Sequence, residues 1–568
     1  MEKYYSAERS TQMLVYLMKA HNIKKVVVSP GMKNYCFVGS IQNDPFFELY
    51  SCADEKSAAY MAVGLAEASG EPVALSCTGA TASRNYMSAL TEAYYNKLPI
   101  LAVTSMTHVG EIGQLIPQII DRRTEPTDII KYNAQIPMVK SNDDEWSNNV
   151  LMNAALLELT RHGGGPVLIN LTTECSWDFS VKTLPETRVI KRVGYEDEFP
   201  ELEGKQVGIF IGNHREFSKE LTELIEKFCE KYNGVVICDQ SSNYRGKYAV
   251  YPAVVTHQKL YPSPLREMDL MIHIGQISGA YIKLLPEKVW RVDEDGEVRD
   301  TFRKLSKVFE MSDKKFFETY VKKAENKADS QMEYYKEWEE EIERIRVKIP
   351  ELPFSNAWIA KNMMADIPDG SYVNFGILNT LRNWNFVDGK DIHAYANTGG
   401  FGIDGIASTT IGASFQDKNR LCFGIMGDLA FFYDINSIGN RHVGNNVRIL
   451  VVNNGLGVEF RNYGHPANEF GEEADKYMAA GGHNGHQSRD LLKNYAEALG
   501  FEYMSAATKE EFLEAKKTFV NKEITDKPML FEVFTNTEDE SQSLMLIETV
   551  EKTLKATMKK TIKKEKKR

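Results

Sequence analysis

Two short apolar runs, each ending in a polar turn, constrain the fold of this chain most strongly. Residues 422–426 end at Gly427-Asp428, and residues 447–452 end at Asn453-Asn454-Gly455. Short runs rich in Val, Ile, Leu and Phe are typical of strands buried in a parallel sheet. We therefore expect Asp428 and Asn454 to lie side by side at the carboxyl edge of one sheet, where ligands of α/β proteins bind.

The polar groups at these strand ends indicate a cation site. A carboxylate, an amide oxygen and a backbone carbonyl are hard oxygen ligands of the kind that Mg²⁺ prefers, with a diphosphate and water completing an octahedron. Taken alone, the pattern is also compatible with two ordinary turns at the ends of strands. The surrounding sequence has to decide between these interpretations.

The N-terminal third alternates strand and helix patterns. Residues 10–19 predict a helix and residues 24–31 a strand entering a glycine turn. Residues 47–70 predict a strand, a turn and an alanine-rich helix that ends at Gly70, and residues 71–105 repeat that order. Such alternation predicts a parallel sheet with right-handed crossovers.

The rest of the chain continues the alternation. Residues 206–298 read as a Rossmann-like succession, but their glycines are too sparse for a dinucleotide-binding fingerprint, so we expect no nucleotide there. The charge-rich stretch 329–350 predicts a linker helix, and residues 528–536 a final strand. The predicted fold class is α/β, with three domains that are each a mostly parallel sheet flanked by helices.

Composition excludes several classes of protein. A net charge of −11 disfavours a nucleic-acid binder, and no apolar run reaches the roughly 18 residues of a membrane span. The first residues lack the apolar core of a signal peptide, so we expect none. Seven dispersed cysteines without a CxxC pair indicate reduced thiols, and therefore a cytoplasmic protein.

A family resemblance rests on the two strand ends and their surroundings. Gly427-Asp428 followed after 25 residues by Asn454, with the runs GDLAFFYDIN and GFGIDGIASTTIGA, resembles the metal–diphosphate motif of thiamine diphosphate (ThDP) enzymes. Leu429 stands where that motif usually has Gly. The branch that the chain is most similar to is the menaquinone-pathway synthase of 2-succinyl-5-enolpyruvyl-6-hydroxy-3-cyclohexene-1-carboxylate, called the synthase below.

This resemblance implies a division into domains. They are a pyrimidine-binding domain (1–182), a central Rossmann-like domain with the linker helix (190–345), a diphosphate- and Mg²⁺-binding domain (351–545), and a basic helical tail (546–568). In this family the pyrimidine and diphosphate domains pair across subunits. The resemblance therefore implies a homo-oligomer, either a dimer or a dimer of dimers.

The resemblance also implies an activity and its catalytic residues. ThDP with Mg²⁺ would decarboxylate a 2-oxo acid and pass the resulting enamine carbon to an acceptor or to a proton. Glu55 matches the acid that binds the aminopyrimidine ring and favours its imino tautomer, whose 4′-nitrogen takes the C2 proton. Gln118 matches a glutamine that faces the reacting carbon. The plainer interpretations are a helix N-terminal acid for Glu55 and a solvated amide for Gln118.

Further positions match the family's cofactor and substrate positions. The implied metal ligands are Asp428, Asn454 and the main-chain oxygen of Leu456. The implied cofactor-binding residues are Ser29, Pro30, Gly31, Thr78, Gly79, Asn85, Gly399, Gly400, Ile403, Gly427, Asp428, Leu429, Ala430, Asn454, Leu456, Gly457 and Val458. The implied substrate-side residues are Lys33, Asn34, Arg382, Thr398, Glu459 and Phe460.

The sequence departs from the synthase where that enzyme has arginines for the carboxylates of isochorismate and 2-oxoglutarate. Lys33, Thr107 and Thr398 occupy three such positions, and Glu459 is an acid where the family places apolar residues. We therefore expect a decarboxylase or carboligase with a different donor or an unidentified acceptor. Two alternatives stay open, namely the genuine synthase and an inactive scaffold or regulatory binding protein with this fold.

One loop near the C-terminus remains without an assigned role. The Gly/His stretch 481–486 reads as a solvent loop or a mobile lid, and no carboxylate partner suggests a zinc site there.

Overall fold

The structure, a computed structural model, describes residues 4–280, 282–483 and 488–552. The chain divides into two compact units. The first comprises Met1–Glu198 and Glu294–Glu310, and the second comprises Phe199–Asp293 and Met311–Arg568. Residues 484–486 of the predicted Gly/His loop lie outside the described residues, and so does the predicted basic tail from residue 553 onward.

The strands are short, between two and nine residues long. In chain order they are β1 (Lys25–Val28), β2 (Glu48–Ser51), β3 (Val73–Cys77), β4 (Ile100–Met106), β5 (Tyr132–Ile136), β6 (Val167–Thr172), β7 (Lys191–Val193), β8 (Val207–Ile211), β9 (Gly234–Cys238), β10 (Ala249–Val250), β11 (Glu267–Ile274), β12 (Leu285–Asp293), β13 (Leu305–Glu310), β14 (Tyr372–Phe375), β15 (His393–Ala396), β16 (Cys422–Gly427), β17 (Val447–Asn453), β18 (Glu502–Ala506) and β19 (Met529–Phe534).

Helices lie between most of these strands. They are α1 (Arg9–Ala20), α2 (Tyr35–Ile41), α3 (Glu55–Ser69), α4 (Thr81–Arg84), α5 (Met87–Tyr95), α6 (Asn142–Glu158), α7 (Lys219–Tyr232), α8 (Ala253–Thr256), α9 (Asp313–Lys323), α10 (Glu333–Arg346), α11 (Asn356–Met363), α12 (Asn379–Trp384), α13 (Ile406–Ser414), α14 (Asp428–Tyr433), α15 (Glu473–Tyr477), α16 (Leu491–Ala498), α17 (Lys509–Phe519) and α18 (Thr537–Glu548). Short 3₁₀ turns span Val109–Glu111, Arg161–Gly163, Gln240–Ser242, Pro264–Arg266, Met364–Asp366, Ile435–Gly439, Val458–Arg461 and Pro466–Phe470.

The first unit is built on a six-stranded sheet in the order β2-β1-β3-β4-β6-β5. Every pair of neighbours in it is parallel. One apolar core includes Met13, Val26 and Ile169, and a second includes Ala58, Leu75 and Ala89. Because side chains of successive strand residues point to opposite faces, helices cover both sides of this sheet. Strands β7 and β13 also pair in parallel within this unit.

The second unit contains two runs of parallel strands. In its central part the strands follow the order β10-β9-β8-β11-β12. Its C-terminal part is a six-stranded sheet in the order β15-β14-β16-β17-β19-β18, again with parallel neighbours. The prediction of three parallel sheets flanked by helices is thereby confirmed.

The register of β16 and β17 fixes the level at which both strands end. Gly427, the last residue of β16, pairs with Val452, and β17 ends one residue later at Asn453. The residues that follow, Asp428 and Asn454, therefore leave the same edge of the sheet at neighbouring positions. This is the arrangement that the two apolar runs predicted.

Two further observations concern the whole described chain. Within residues 4–280, 282–483 and 488–552, no helix is long and apolar enough to cross a membrane. All seven cysteines are free thiols, and five of them are buried: Cys36, Cys77, Cys229, Cys238 and Cys422.

Candidate active site

Glu55 is the first residue of α3, and local interactions fix its position. The side chain of Asp54 caps the helix by accepting hydrogen bonds from the backbone N–H groups of Lys56 at 3.3 Å and Ser57 at 3.2 Å. Gly70, with φ of 68°, ends the helix as predicted. Asn85 Nδ2 donates to Glu55 Oε2 at 3.4 Å, so two of the predicted site residues are in contact.

Glycines allow close packing of two loops beside Glu55, Gly31 against Thr78 of the second loop and Gly79 against Ser105 in β4. A Cβ on Gly31 would lie 2.6 Å from the Cβ of Thr78, and a Cβ on Gly79 would lie 2.6 Å from the carbonyl oxygen of Ser105. The backbone N–H of Lys33 donates to Thr78 Oγ1 at 3.4 Å. These contacts hold the loops at residues 29–31 and 78–79 together at the carboxyl ends of β1 and β3.

Asn34 ties the first of these loops to its strand. Its Nδ2 donates to the carbonyl oxygen of Ser29 at 3.0 Å and to Ser76 Oγ at 3.4 Å. Ser29 and Asn34 are buried, whereas Pro30 between them is exposed. Asn34, predicted as a substrate-side residue, therefore braces the loop from within.

Gln118 is exposed and has a left-handed backbone, with φ of 63°. It lines a small recess together with Lys33, Thr107 and Arg122. Sequence reasoning identified Gln118 and Lys33 but overlooked Arg122. The available signal was the pair Arg122-Arg123 only four residues beyond Gln118, although nothing in the sequence shows which of the two is buried.

In the second unit, Asp428 begins α14 and is almost fully buried. Burial raises the pKa of its carboxyl group to about 7, while hydrogen bonds from the backbone of Asp428, Leu429 and Gly455 act in the opposite direction. Gly455 belongs to the turn that follows β17. The structure thus brings the acid at the end of β16 into contact with the loop that contains Asn454.

That loop is tightly folded around the predicted ligands. The backbone N–H of Leu456 lies 3.5 Å from Asn454 Oδ1, and the backbone N–H of Gly457 donates to the carbonyl oxygen of Ala479 at 2.6 Å. The N–H of Val458 donates to the carbonyl oxygen of Leu456 at 2.9 Å. A Cβ on Gly457 would lie 3.4 Å from the Leu429 side chain, so α14 packs against this loop.

Glu532 supports the same loop from β19 and was not predicted. It accepts hydrogen bonds from Asn453 Nδ2 at 2.6 Å and Tyr503 Oη at 2.7 Å. Burial raises the pKa of Glu532, and its charge contributes to the raised pKa of Asp428. The sequence signal was an acid inside the otherwise apolar strand Met529–Phe534.

The glycine-rich segment before α13 is open where a ligand is predicted. A Cβ on Gly399 or Gly400 would meet no atom of the chain within 4 Å. Ile403 is partly buried against the core that contains Ile406 and Met426. Gly427 and Ala430 flank Asp428 at the start of α14, and Ala430 is buried.

Three predicted substrate-side residues of this unit are already engaged within the chain. Arg382 Nη2 and Nη1 bind Glu459 Oε1 and Oε2 at 2.7 Å and 2.8 Å, a bidentate ion pair. Thr398 is buried, and Asn213 Nδ2 donates to its Oγ1 at 3.2 Å. Phe460 is 38% exposed, and its ring packs edge-on against His465.

The groups at the ends of β16 and β17 fit a hard divalent cation. A buried carboxylate, an amide oxygen and a main-chain carbonyl are all oxygen donors, which suits Mg²⁺ and not a soft metal. Within the part of the chain that the structure describes, no group of three or more His, Cys, Asp or Glu side chains could hold a metal. A cation at Asp428 would offset the cost of burying its charge.

Comparison with known proteins agrees with this chemistry. Residues 9–124 match the family described as the thiamine pyrophosphate enzyme N-terminal TPP binding domain. Curated proteins named 2-succinyl-5-enolpyruvyl-6-hydroxy-3-cyclohexene-1-carboxylate synthase are similar over nearly the full chain. Those of Bacteroides fragilis and Bacteroides thetaiotaomicron are each 31% identical over 95% of this chain and 98% of their own length. That of Flavobacterium psychrophilum is 26% identical over 93% of this chain and 96% of its own.

Proposed function

The chain belongs to the ThDP-dependent enzyme family of the 2-succinyl-5-enolpyruvyl-6-hydroxy-3-cyclohexene-1-carboxylate synthases, and on that premise we propose that it catalyses the synthase reaction. The donor would be 2-oxoglutarate, which loses CO₂, and the acceptor would be isochorismate. The observation that carries the proposal is similarity over 95% of this chain and 98% of the relative. Sequence reasoning favoured a different donor or acceptor, and the comparisons favour the synthase.

ThDP and a divalent metal such as Mg²⁺ are the cofactors of this family. When bound, ThDP supplies an electron sink for decarboxylation of the 2-oxo acid. Asp428, Asn454 and the carbonyl oxygen of Leu456 would hold the metal, because together they offer the oxygen donors that Mg²⁺ prefers. The open surroundings of Gly399 and Gly400 would admit a diphosphate against the backbone.

The Glu55 carboxyl group would bind the aminopyrimidine ring and keep on that ring the proton that the reaction requires. Its Oε2 accepts a hydrogen bond from Asn85, which restricts the carboxylate to one orientation and leaves Oε1 for the ring. Gln118 would orient the substrate from the recess beside Lys33. We further propose a cytoplasmic homo-oligomer, either a dimer or a dimer of dimers, because pyrimidine and diphosphate domains pair across subunits in this family.

A direct assay tests the reaction. The protein with ThDP and Mg²⁺ is incubated with 2-oxoglutarate and isochorismate, CO₂ release is followed, and the adduct is identified by mass spectrometry. Formation of the adduct supports the proposal. Release of CO₂ from another 2-oxo acid without this adduct would refute the synthase assignment, and a protein without any 2-oxo acid turnover would contradict the enzyme activity altogether.

One observation favours a second candidate, the same ThDP chemistry on a less anionic substrate. The bidentate pair of Glu459 with Arg382 neutralises a guanidinium that would otherwise bind a substrate carboxylate. Thr398, at another position where the synthase has an arginine, is engaged by Asn213. A panel of 2-oxo monocarboxylic and dicarboxylic acids, each assayed with and without isochorismate, separates the two candidates.

A further inference from the structure

Glu532 is a buried carboxylate on one face of the C-terminal sheet. It lies in β19 and is 1% exposed, with apolar residues before and after it in the strand. In the register of the sheet, Glu532 pairs with Val451 of β17 and with Ser505 of β18. Because side chains two residues apart on a strand point to the same face, Asn453 and Tyr503 share the face of Glu532. The acid thus lies between two polar side chains of the neighbouring strands.

Both oxygens of this carboxylate accept hydrogen bonds from neutral groups. Asn453 Nδ2 donates to Oε1 at 2.6 Å, and Tyr503 Oη donates to Oε2 at 2.7 Å. Burying a carboxylate costs free energy that such hydrogen bonds only partly offset. Apolar residues often replace buried charged groups without loss of stability. The acid at position 532 therefore indicates a role for its acceptor atoms beyond the stability of the sheet.

Asn453 connects Glu532 to the predicted metal ligands. It is the last residue of β17 and directly precedes Asn454. Its carbonyl oxygen accepts from the N–H of Thr535 at 3.0 Å, so both its main chain and its side chain are held from the side of β19. A rotation of this last strand residue would turn Asn454 away from Asp428, which leaves the neighbouring strand.

The loop beyond Asn454 has separate support. The N–H of Gly457 donates to the carbonyl oxygen of Ala479 at 2.6 Å, and the contact of Glu532 supplies the corresponding support on the strand side. Asp428 is near enough for the charge of Glu532 to contribute to its raised pKa. Mg²⁺ requires near-octahedral geometry with oxygens at about 2.0–2.1 Å, so it tolerates little displacement of a donor. The orientation of Asn454 is therefore the property that Glu532 influences most.

We propose that Glu532 is a positioning residue of the metal site, which acts through the Asn453 side chain to hold Asn454 in the orientation that binds Mg²⁺. This inference rests on the metal site of the proposed function. It deepens that function because it adds a residue that contacts neither the cofactor nor the metal. Removal of such a partner behind a metal ligand typically lowers metal affinity by about 10–100-fold.

Equilibrium binding of Mg²⁺ tests this role without requiring turnover. The protein in a fixed excess of ThDP is titrated calorimetrically with Mg²⁺, and the heat of mixing Mg²⁺ with ThDP alone is subtracted. Glu532→Leu removes both acceptor oxygens at similar side-chain size, and we expect it to raise the Kd for Mg²⁺ by about 10–100-fold. Glu532→Gln keeps an acceptor for Tyr503 and an amide that can pair with Asn453, so it should recover part of the affinity.

A double-mutant cycle tests whether Glu532 acts through Asn453. We expect Asn453→Ala to weaken Mg²⁺ binding by a similar factor, and Glu532→Leu to add little in the Asn453→Ala background. Tyr503→Phe is the matched control, because it removes the other hydrogen bond of the same carboxylate. It should lower the Tm of the cofactor-free protein and leave the Kd for Mg²⁺ unchanged. If Glu532→Leu fails to fold, Asn453→Ala decides by the same titration.

Four results would overturn the inference. The first is an unchanged Kd for Mg²⁺ in folded Glu532→Leu or in Asn453→Ala. The second is an equal loss of affinity for Glu532→Leu with and without Asn453. The third is an equal loss for Glu532→Gln and Glu532→Leu, which would assign the effect to charge. The fourth is a loss for Tyr503→Phe as large as that for Glu532→Leu.

Failure of the proposed function gives a different result. A protein whose variants bind Mg²⁺ in the expected pattern, but which forms no adduct from 2-oxoglutarate and isochorismate, would refute the reaction and retain the positioning role. An unmodified protein that binds no Mg²⁺ in the presence of ThDP would refute both the metal site and the role of Glu532.

Discussion

Glu459 binds Arg382 through both carboxylate oxygens, at 2.7 Å and 2.8 Å, immediately after the loop that carries Asn454. Both side chains are mostly buried, with 15% exposure for Arg382 and 21% for Glu459. An anionic substrate that approaches Arg382 would have to compete with this internal carboxylate. The pair therefore sets the charge that the second unit presents to a substrate.

Glu459→Gln should shift selectivity toward dicarboxylic 2-oxo acids. Removing the acid leaves Arg382 available for a substrate carboxylate, a charge-assisted contact worth about 1.5–3 kcal/mol. We expect kcat/KM for 2-oxoglutarate to rise at least about tenfold relative to pyruvate, measured by steady-state CO₂ release. Glu469→Gln, an exposed acid ten residues further along the chain, is the matched control. An unchanged ratio would show that Arg382 does not contact the substrate.

Glu55→Gln should abolish turnover and leave cofactor binding largely intact. The amide cannot hold the proton that a carboxyl group holds, but it preserves the shape and the contact with Asn85. We expect kcat to fall by about 10²–10⁴-fold, the range typical of general acid–base groups. Glu67→Gln, on the exposed side of the same helix, should retain full activity. Residual turnover close to that of the unmodified protein would remove Glu55 from its role.

Removal of the metal or of its carboxylate should prevent ThDP binding. The measurement is the rise in Tm that added ThDP causes. We expect this rise to require Mg²⁺ and to disappear when EDTA is added. Asp428→Ala should eliminate this rise even with Mg²⁺ in excess, because it deletes a buried oxygen ligand. Asp490→Asn, an exposed acid, should behave like the unmodified protein. A metal-independent rise in Tm would contradict the assigned ligand set.

Two glycine substitutions should separate folding from cofactor binding. Gly79→Ala places a Cβ 2.6 Å from a backbone oxygen, so we expect it to destabilise the fold by about 1–3 kcal/mol. Gly399→Ala meets no atom within 4 Å and should leave the Tm of the cofactor-free protein unchanged. If a diphosphate binds there, Gly399→Ala should nevertheless weaken ThDP binding about tenfold or more, measured by calorimetry. Unaltered affinity would place the diphosphate elsewhere.

Glu540 should make stability depend on pH in the acidic-to-neutral range. It is buried, accepts hydrogen bonds from Asn356 N–H and Thr535 Oγ1, both at 2.9 Å, and burial raises its pKa from 4.5 to about 7. Because the folded state holds its proton more tightly than the unfolded state, this stabilisation is complete below pH 4.5. As the pH rises from 4.5 through 7 this stabilisation is lost, and the free energy of unfolding falls by about 3 kcal/mol.

Glu540→Gln should remove that dependence. The Tm of the variant minus that of the unmodified protein is expected to increase between pH 5 and pH 8, because only the unmodified protein buries a charge at high pH. Glu538→Gln, an exposed acid in the same first turn of α18, should show a constant difference. A difference for Glu540→Gln that is independent of pH would indicate an ordinary carboxyl pKa.

The sequence was sufficient to predict contacts between residues that the sheet topology makes neighbours. Asp428 and the turn at Gly455 meet because adjacent parallel strands end at one edge, and Glu55 meets Asn85 because two strand–helix units are neighbours. The sequence was not sufficient to predict the burial of Arg122 or the pairing of Arg382 with Glu459. Those depend on which rotamer a long side chain adopts in a packed interior, and periodicity carries no information about that choice.

The register between β16 and β17 has a consequence for how this site can vary. The level at which Asp428 and Asn454 leave the sheet is set by the pairing of the two strands, and residues 440–442 lie on the connection between them. The exposed residues 440–442 can therefore accept inserted residues at the opposite edge of the sheet without moving either oxygen ligand. Insertions there offer a position for tags or reporters in a protein whose cofactor site must stay unchanged.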